Sequence, residues 1–309
     1  MRTSLFLLPL FALGLSCAAD DSPVRFPEEQ AAWKAMAARF TEAPKVKADS
    51  AKTVELAVSG LRGSTPPNTA ATASIVVDKA TGHVITVGGN GANFNDDELG
   101  SFAAFSELNN LALFHNSGFT GAGLAKLTGL KKLERVTLAG GSLEDAGMRE
   151  LAKFPALREL RVFHSKFTDA GVAAFRDNPT LEYIWIGPQW SSRQTDKSIA
   201  ALATCPKLKK LAIDQTWLTW EGSLKALATR PTPVADIDFV NCIIEPADME
   251  KLKQATPSAK IAWKGLGSGA EELQKPWIKS AAEQWIPKEL LERVRIEGAK
   301  LPPAETKAK

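Results

Sequence analysis

The run from Leu133 to Ile186 restates itself every 24 residues, and nothing else in the chain constrains its fold as much. Leu133-Glu-Arg-Val136-Thr-Leu138 leads into Leu143-Glu-Asp-Ala-Gly-Met148 and Leu151. Leu157-Arg-Glu-Leu160-Arg-Val162 leads into Phe167-Thr-Asp-Ala-Gly-Val172 and Phe175, and Leu181-Glu-Tyr-Ile184-Trp-Ile186 opens a third copy. Within each copy the apolar period changes. The fourth and sixth positions of the leucine phrase share one face of an extended strand. Asp169 to Phe175 instead has apolar residues three apart behind Thr168 and Asp169, which start a short helix. A unit this small cannot bury its own apolar stripe, so it must stack on its neighbours.

Laid over the rest of the chain, the phrase begins at Val84, Leu108, Leu133, Leu157, Leu181, Leu208 and Val234, with steps of 24, 25, 24, 24, 27 and 26 residues. Ala259 to Trp263 reads as a truncated last strand. The extra residues in Gly187 to Gln194 must loop out between strand and helix, and such insertions often mark the binding side.

These phrases resemble those of leucine-rich-repeat proteins. Thr168-Asp-Ala-Gly-Val172 is similar to the ribonuclease-inhibitor-like or cysteine-containing subtype, common among secreted bacterial proteins. The resemblance spans roughly residues 84–263. It implies an α/β solenoid of about seven units, a horseshoe with parallel strands on its concave face and short helices on its convex face. It also implies a buried column of Asn or Cys three residues past each strand phrase, occupied here by Gly91, Asn116, Gly141, Ser165, Gln189, Thr216 and Cys242. Cys242 is therefore expected to satisfy backbone groups at a turn and not to act as a nucleophile. The fold by itself implies no function.

The flanks divide the remainder. Met1-Arg2-Thr3, the apolar run Leu5 to Leu15 and the small residues to Ala19 have the order of an export signal over residues 1–19, which places the mature chain in the periplasm or outside the cell. Cys17 stands where a bacterial lipoprotein is cut and lipidated, but Leu13 lies four residues before it where that pattern prefers three, so release and anchoring both stay open. No other run approaches the ~18 apolar residues of a membrane span. Residues 20–82 read as an N-terminal cap. It holds a lid helix from Pro27 to Phe40 with Trp33, Met36 and Ala37 on one stripe, a weak strand from Thr53 to Val58 and a break from Gly60 to Ala71. A hairpin around Asp78 to Gly82 then covers the sheet edge. Residues 83–263 are the repeat domain. Residues 264–309 read as a flexible break at Gly265 to Gly269, a helical arm and a disordered tail from Leu301. The arm is divided by Pro287 and carries Trp277, Ile278, Ala281, Trp285 and Ile286 on a stripe that either caps the last repeat or grips a partner. Cys205 and Cys242 are expected at opposite ends of neighbouring units and unbridged.

Little in the chain suggests catalysis. A net charge of +3 with interspersed signs excludes a nucleic-acid footprint. There is no G-x-S-x-G, phosphate loop, H-E-x-x-H or C-x-x-C. His115 and His164 occupy equivalent places two units apart, roughly 10 Å by strand spacing, with only Ala139-Gly140 between them, so no metal or other cofactor is expected. Acidic pairs such as Asp96-Asp97 and Glu144-Asp145 are placed to serve helix starts.

What remains is the concave strand face. It presents Asn110 and Ala112, Arg135 and Thr137, Glu159 and Arg161, Tyr183 and Trp185, Lys210 and Ala212, and Asp236 and Asp238, with Phe114, Phe163, Trp190 and Trp217 just past the strands. Phe114, Arg161, Phe163, His164, Tyr183 and Trp185 are the expected partner-binding residues, because aromatic residues with arginine have the composition of interface hot spots. The expected function is non-enzymatic binding of a protein by a monomer. A lipid-anchored structural envelope protein and a carbohydrate binder, using Trp and Tyr to stack on sugar rings, are the alternatives.

Overall fold

A computed structural model describes residues 22–64, 68–188, 194–274, 283–284 and 286–300. Residues 1–19, expected as an export signal and including Cys17, residues 301–309, expected as a disordered tail, and Gln189, Trp190, Trp277, Ile278, Ala281 and Trp285 lie outside the described residues. The strands are β1 (Lys45–Asp49), β2 (Thr53–Leu61), β3 (Asn68–Asp78), β4 (Val84–Asn90), β5 (Asn110–Phe114), β6 (Arg135–Ala139), β7 (Glu159–Ser165), β8 (Tyr183–Pro188), β9 (Lys210–Asp214), β10 (Trp217–Leu218), β11 (Asp236–Val240), β12 (Ile243–Ile244) and β13 (Lys260–Trp263). All but β10 and β12 join one eleven-stranded sheet. From β4 to β13 every neighbour in that sheet is parallel. Parallel neighbours need a crossover, and each unit's helix supplies it.

The phrases at Leu133, Leu157 and Leu181 become adjacent strands with Val136, Leu160 and Ile184 in register. Their inward side chains are buried, as are the helix residues Met148, Leu151, Val172 and Phe175 behind them, so one apolar core runs the length of the stack. The molecule is a leucine-rich-repeat solenoid.

Two repeated devices set its geometry. At the ends of β4, β5, β6, β7, β9 and β11 the backbone turns through the left-handed region at Gly91, His115, Gly140, His164, Gln215 and Asn241, with φ between 49° and 65°. Glycine takes this conformation freely, and His and Asn are among the residues that tolerate it best. The amide at this place bonds the next strand, as from His115 to the Ala139 carbonyl at 2.8 Å. The equivalence of His115 and His164 is thus a backbone requirement. The same register puts Ala92, not Gly91, in the column of Asn116. Asn116 works there as expected: Oδ1 accepts from the Phe94 amide at 2.6 Å and Nδ2 donates to the Phe94 carbonyl at 2.9 Å. Cys242 Sγ donates to the Ile213 carbonyl at 3.3 Å.

The second device lies at the helix starts and extends the sequence reading. The acidic residue sits in the first turn of its own helix, where its charge favours the dipole, and its oxygens staple the next unit. Asp145 accepts from the amides of Thr168 and Gly171 and from the Thr168 hydroxyl, and Asp169 does the same for Thr195 and Ser198. Asp96 holds Thr120, Gly121 and Gly123, and Asp196 holds Thr219 and Ser223. The series breaks at Trp220, whose own amide donates to Asp248 Oδ2 at 2.9 Å, and, more tellingly, at Gly121, where the Asp position is glycine with φ at 100° and a Cβ would lie 2.6 Å from the Gly147 Cα. Two units approach there by removing side chains altogether.

At the N-terminal end β1, β2 and β3 extend the sheet antiparallel from β4. The helix Pro27–Ala37 is shorter than expected, and Phe40 instead bridges to Leu61, yet Trp33, Met36, Ala37 and Phe40 are all buried. Fully buried Glu29 pins this helix to the hairpin through His83 Nδ1 and the Val84 amide, both at 2.8 Å. The expected break after Gly60 is narrower than predicted, since β2 runs to Leu61 and β3 starts at Asn68. At the other end Gly265–Gly269, expected as a flexible break, contains a buried 3-10 turn at Leu266–Gly269. Leu266, Leu273, Ile286, Leu290, Leu291 and Val294 pack with Ile243 over the last units, and Trp217 and Trp263 lie against them.

Candidate functional site

Strand register lines the outward side chains into rows that cross the sheet. The lower row is Arg135, Glu159, Tyr183, Lys210 and Asp236; the middle row is Thr137, Arg161, Trp185, Ala212 and Asp238; the upper row includes Phe114, Ala139 and Phe163. Alternation along each strand puts these side chains opposite the core. Towards the N-terminal end the same face is small and flat: Ser74, Gly88, Ala112 and Thr137 are in register there.

Five of the six expected binding residues meet on β7 and β8. The Phe163 and Trp185 rings stack with centroids 4.7 Å apart and planes 24° apart, and His164 meets the Phe163 edge at 5.5 Å. Arg161 places its guanidinium 5.1 Å from the Tyr183 centroid, and Lys210 places its ammonium 5.3 Å from the same centroid. Both contacts are cation–π attractions. Burial pushes the Tyr183 phenol above its ordinary pKa, against the pull of Arg161 and Lys210. Phe114, the sixth, stands apart: it is 39% exposed and separated from Phe163 by the β6 strand with Ala139. Trp217, also expected on this face, belongs to β10 and the C-terminal cap.

Beside the aromatic pair lies a polar corner that sequence reasoning missed. Asp214, only 6% exposed, has Oδ2 3.7 Å from His164 Nε2 and an Oδ1 with no hydrogen-bond partner. It fits because its neighbour is Gly187, where a Cβ would come within 2.7 Å of the Asp214 Cβ. Trp185 Nε1 is likewise buried without a partner. Burial and then the charges of Asp236 and Asp214 raise the Asp238 pKa, while Lys210 and Lys264 oppose them. The signal for Asp214 was in the sequence: it takes the third outward place of its strand, where β5 and β7 have Phe114 and Phe163, but that place was searched only for aromatic residues.

Charges at the lower edge are already engaged. Arg158 and Lys209 both bind Glu182, at 2.6 and 2.9 Å, and Lys210 binds Asp236 at 3.2 Å. His115 bonds Asn90 Oδ1 at 2.8 Å and so turns towards β4, whereas His164 turns towards β9.

Similar solved structures include two internalins of Listeria monocytogenes. Internalin C2 is 18% identical with a TM-score of 0.42, over 62% of this chain and 76% of its own. The internalin inlF is 17% identical with a TM-score of 0.36, over 54% of this chain and 51% of its own. No protein-family model matches the chain, and no curated protein matches it in sequence. The assignment of the fold rests on the strand register itself.

Proposed function

We propose that the protein is an exported, non-enzymatic binding protein of the ribonuclease-inhibitor-like or cysteine-containing repeat subtype, a monomer that docks another protein on its concave face. Trp185, Phe163, Tyr183, Arg161 and His164 form the centre of the contact and Phe114 an outlying anchor. The observation that carries this is the Phe163–Trp185 stack standing on an open strand face with Arg161 exposed beside it. Aromatic and arginine side chains of this kind are the anchors of interfaces. The two cysteines support a non-enzymatic reading: both are free and buried, and burial pushes the Cys205 thiol up to about 11, far from a reactive thiolate at neutral pH. The concave face mixes charges, which suits a protein better than a nucleic acid. Stacking on a sugar needs a free ring face; Tyr183 has Arg161 and Lys210 against its ring and Phe163 takes one face of Trp185, which leaves fewer stacking faces for a carbohydrate than contacts for a protein.

Residues 1–19 act as the export signal in this reading, residues 20–82 and 264–309 flank and close the repeat domain at 83–263, and Cys17 is the one possible lipid anchor. Changing Trp185 and Arg161 to Ala should abolish capture of a partner from a bacterial envelope extract while the melting temperature falls by no more than a few degrees. Undiminished capture by the folded variant sinks the concave-face reading. The mass of the mature N-terminus separates a released protein from one diacylated at Cys17, which the lipid-anchored structural alternative requires.

A further inference from the structure

We propose that the middle row of the concave face seats an extended polypeptide segment running across the strands, with opposite charges four residues apart on either side of an apolar residue. This rests on the protein-docking reading above and specifies the chemistry of the partner.

The row reads Arg161, Trp185, Ala212, Asp238 on four consecutive strands of the sheet, β7, β8, β9 and β11. Neighbouring strands stand ~4.8 Å apart, so Arg161 and Asp238 are separated by about 14 Å. An extended segment advances ~3.4 Å per residue and turns every second side chain to the same side, so its residues i and i+4 also span about 14 Å. Residue i+2 then falls between them, against Trp185 and Ala212. Ala212 contributes only a methyl group, so no long side chain stands between the indole and Asp238.

The charges at the two ends of this row are the ones left without partners. Arg161 has its cation–π contact with Tyr183 but no ion pair among the described residues, and Asp238 has neither an ion pair nor a hydrogen bond there. Lys210, Arg158 and Lys209, all of the lower edge, are already paired. Glu159 has no ion pair either, but it lies in the lower row between Arg135 and Tyr183, away from the Trp185 line. At the Asp238 end three carboxylates, Asp214, Asp236 and Asp238, face two ammonium groups, Lys210 and Lys264, and burial together with the charges of Asp236 and Asp214 disfavours the Asp238 carboxylate. Asp214 keeps a buried oxygen with no donor. A lysine or arginine brought to this end relieves the crowding, and a glutamate or aspartate brought to Arg161 completes the only half-occupied cation of the row. The segment can run in either direction, since reversing it exchanges its two ends.

The experiment uses phage-displayed 12-residue peptides with a fixed core of charge, any residue, leucine, any residue, charge, selected on the immobilised full chain at low ionic strength. Cores of opposite charge should be enriched about fivefold over acid–acid and base–base cores, the size expected from replacing one exposed attraction by a repulsion. Asp238→Lys should shift the preference to acid–acid cores and Arg161→Glu to base–base cores. Asp238→Asn should weaken the preference without inverting it, and Trp185→Ala should abolish enrichment of every core. Each variant is first checked for a cooperative unfolding transition within a few degrees of the parent's. Enrichment that depends on Trp185 but ignores core charge, or does not move in the charge variants, overturns this inference and leaves the docking reading standing. Absence of any Trp185-dependent enrichment overturns both.

Discussion

Along the helix starts Asp96, Asp145, Asp169 and Asp196 each accept bonds from the following unit, the same task four times. Along the middle row of the strand face, Ala112, Thr137, Arg161, Trp185, Ala212 and Asp238 succeed one another with little chemistry in common. Both series are set by the same period, so the difference lies in what each position must satisfy. A staple must fit a similar neighbour and so recurs from unit to unit. The outward strand face has no core to fill, so its residues, though they touch along and between the rows, are free to differ, and there the chain can be shaped for something outside itself. The comparison predicts that substitutions in the staple act on stability far more than those in the row.

The largest effect should come from Asp169→Ala. Asp169 accepts from the Thr195 amide at 2.8 Å, the Thr195 hydroxyl at 2.6 Å, the Ser198 amide at 3.2 Å and the Ser198 hydroxyl at 2.6 Å, and Ser198 is fully buried. Leaving such donors without an acceptor costs about 1–3 kcal/mol each, so the unfolding free energy should fall by about 3 kcal/mol or more. A loss under about 1 kcal/mol in urea unfolding would mean that the staples are ornament. Next is the glycine break in the series. Gly121→Asp restores the repeated letter but demands φ near 100° and puts a Cβ 2.6 Å from the Gly147 Cα. It should therefore destabilise, by about 2 kcal/mol. A more stable variant would show that the missing staple is an accident of sequence.

Asp96→Asn should have a smaller effect at neutral pH, about 1–2 kcal/mol, because the amide oxygen still accepts part of the set. Its pH dependence is the sharper test. Burial pushes the Asp96 carboxyl up, but the amides of Gly123, Thr120 and Gly121 with the Thr120 hydroxyl together outweigh it, and the pKa lies below the ordinary Asp value. A depressed folded pKa means that stability is present above the unfolded value and is lost as pH falls through the folded one. The variant should lose less stability than the parent on acidification below about pH 4. Asp196 is opposite in sign: burial, outweighing Ser223 and Thr219, raises its pKa, so its protonation favours the folded state as pH falls. Parallel acid-unfolding curves for the parent and Asp96→Asn would break this account of the staple.

The fold was legible because burial repeats with the period. Leu133, Leu157 and Leu181 announce the stack, and their apolar partners at Val136, Leu160 and Ile184 announce which side faces in. The aromatic cluster was legible for a related reason, since alternation assigns Arg161, Tyr183 and Trp185 to the outer face once the inner one is known. The staple was visible as a phrase but not as a contact. Thr168 and Asp169 are chain neighbours that serve opposite sides, Thr168 bonding back to Asp145 and Asp169 forward to Thr195, and only strand register reveals a partner about one period away. Asp214 escaped because its partner geometry depends on Gly187 in the preceding unit, and Trp217 was misplaced because β10 leaves the main sheet.

The smallest effects should be those of the row itself. Arg161 is exposed and makes one cation–π contact, so Arg161→Ala should cost less than about 1 kcal/mol. Trp185→Ala loses a stacked ring pair, worth about 0.5–1.5 kcal/mol beyond buried area, but it also removes an indole N–H that is buried with no acceptor. The two terms oppose each other, and the net change should stay near 1 kcal/mol even though Trp185 is the largest side chain of the row. If Trp185→Ala instead costs as much as Asp169→Ala, the aromatic cluster is part of what holds the stack together, and the distinction between the repeated column and the variable row collapses.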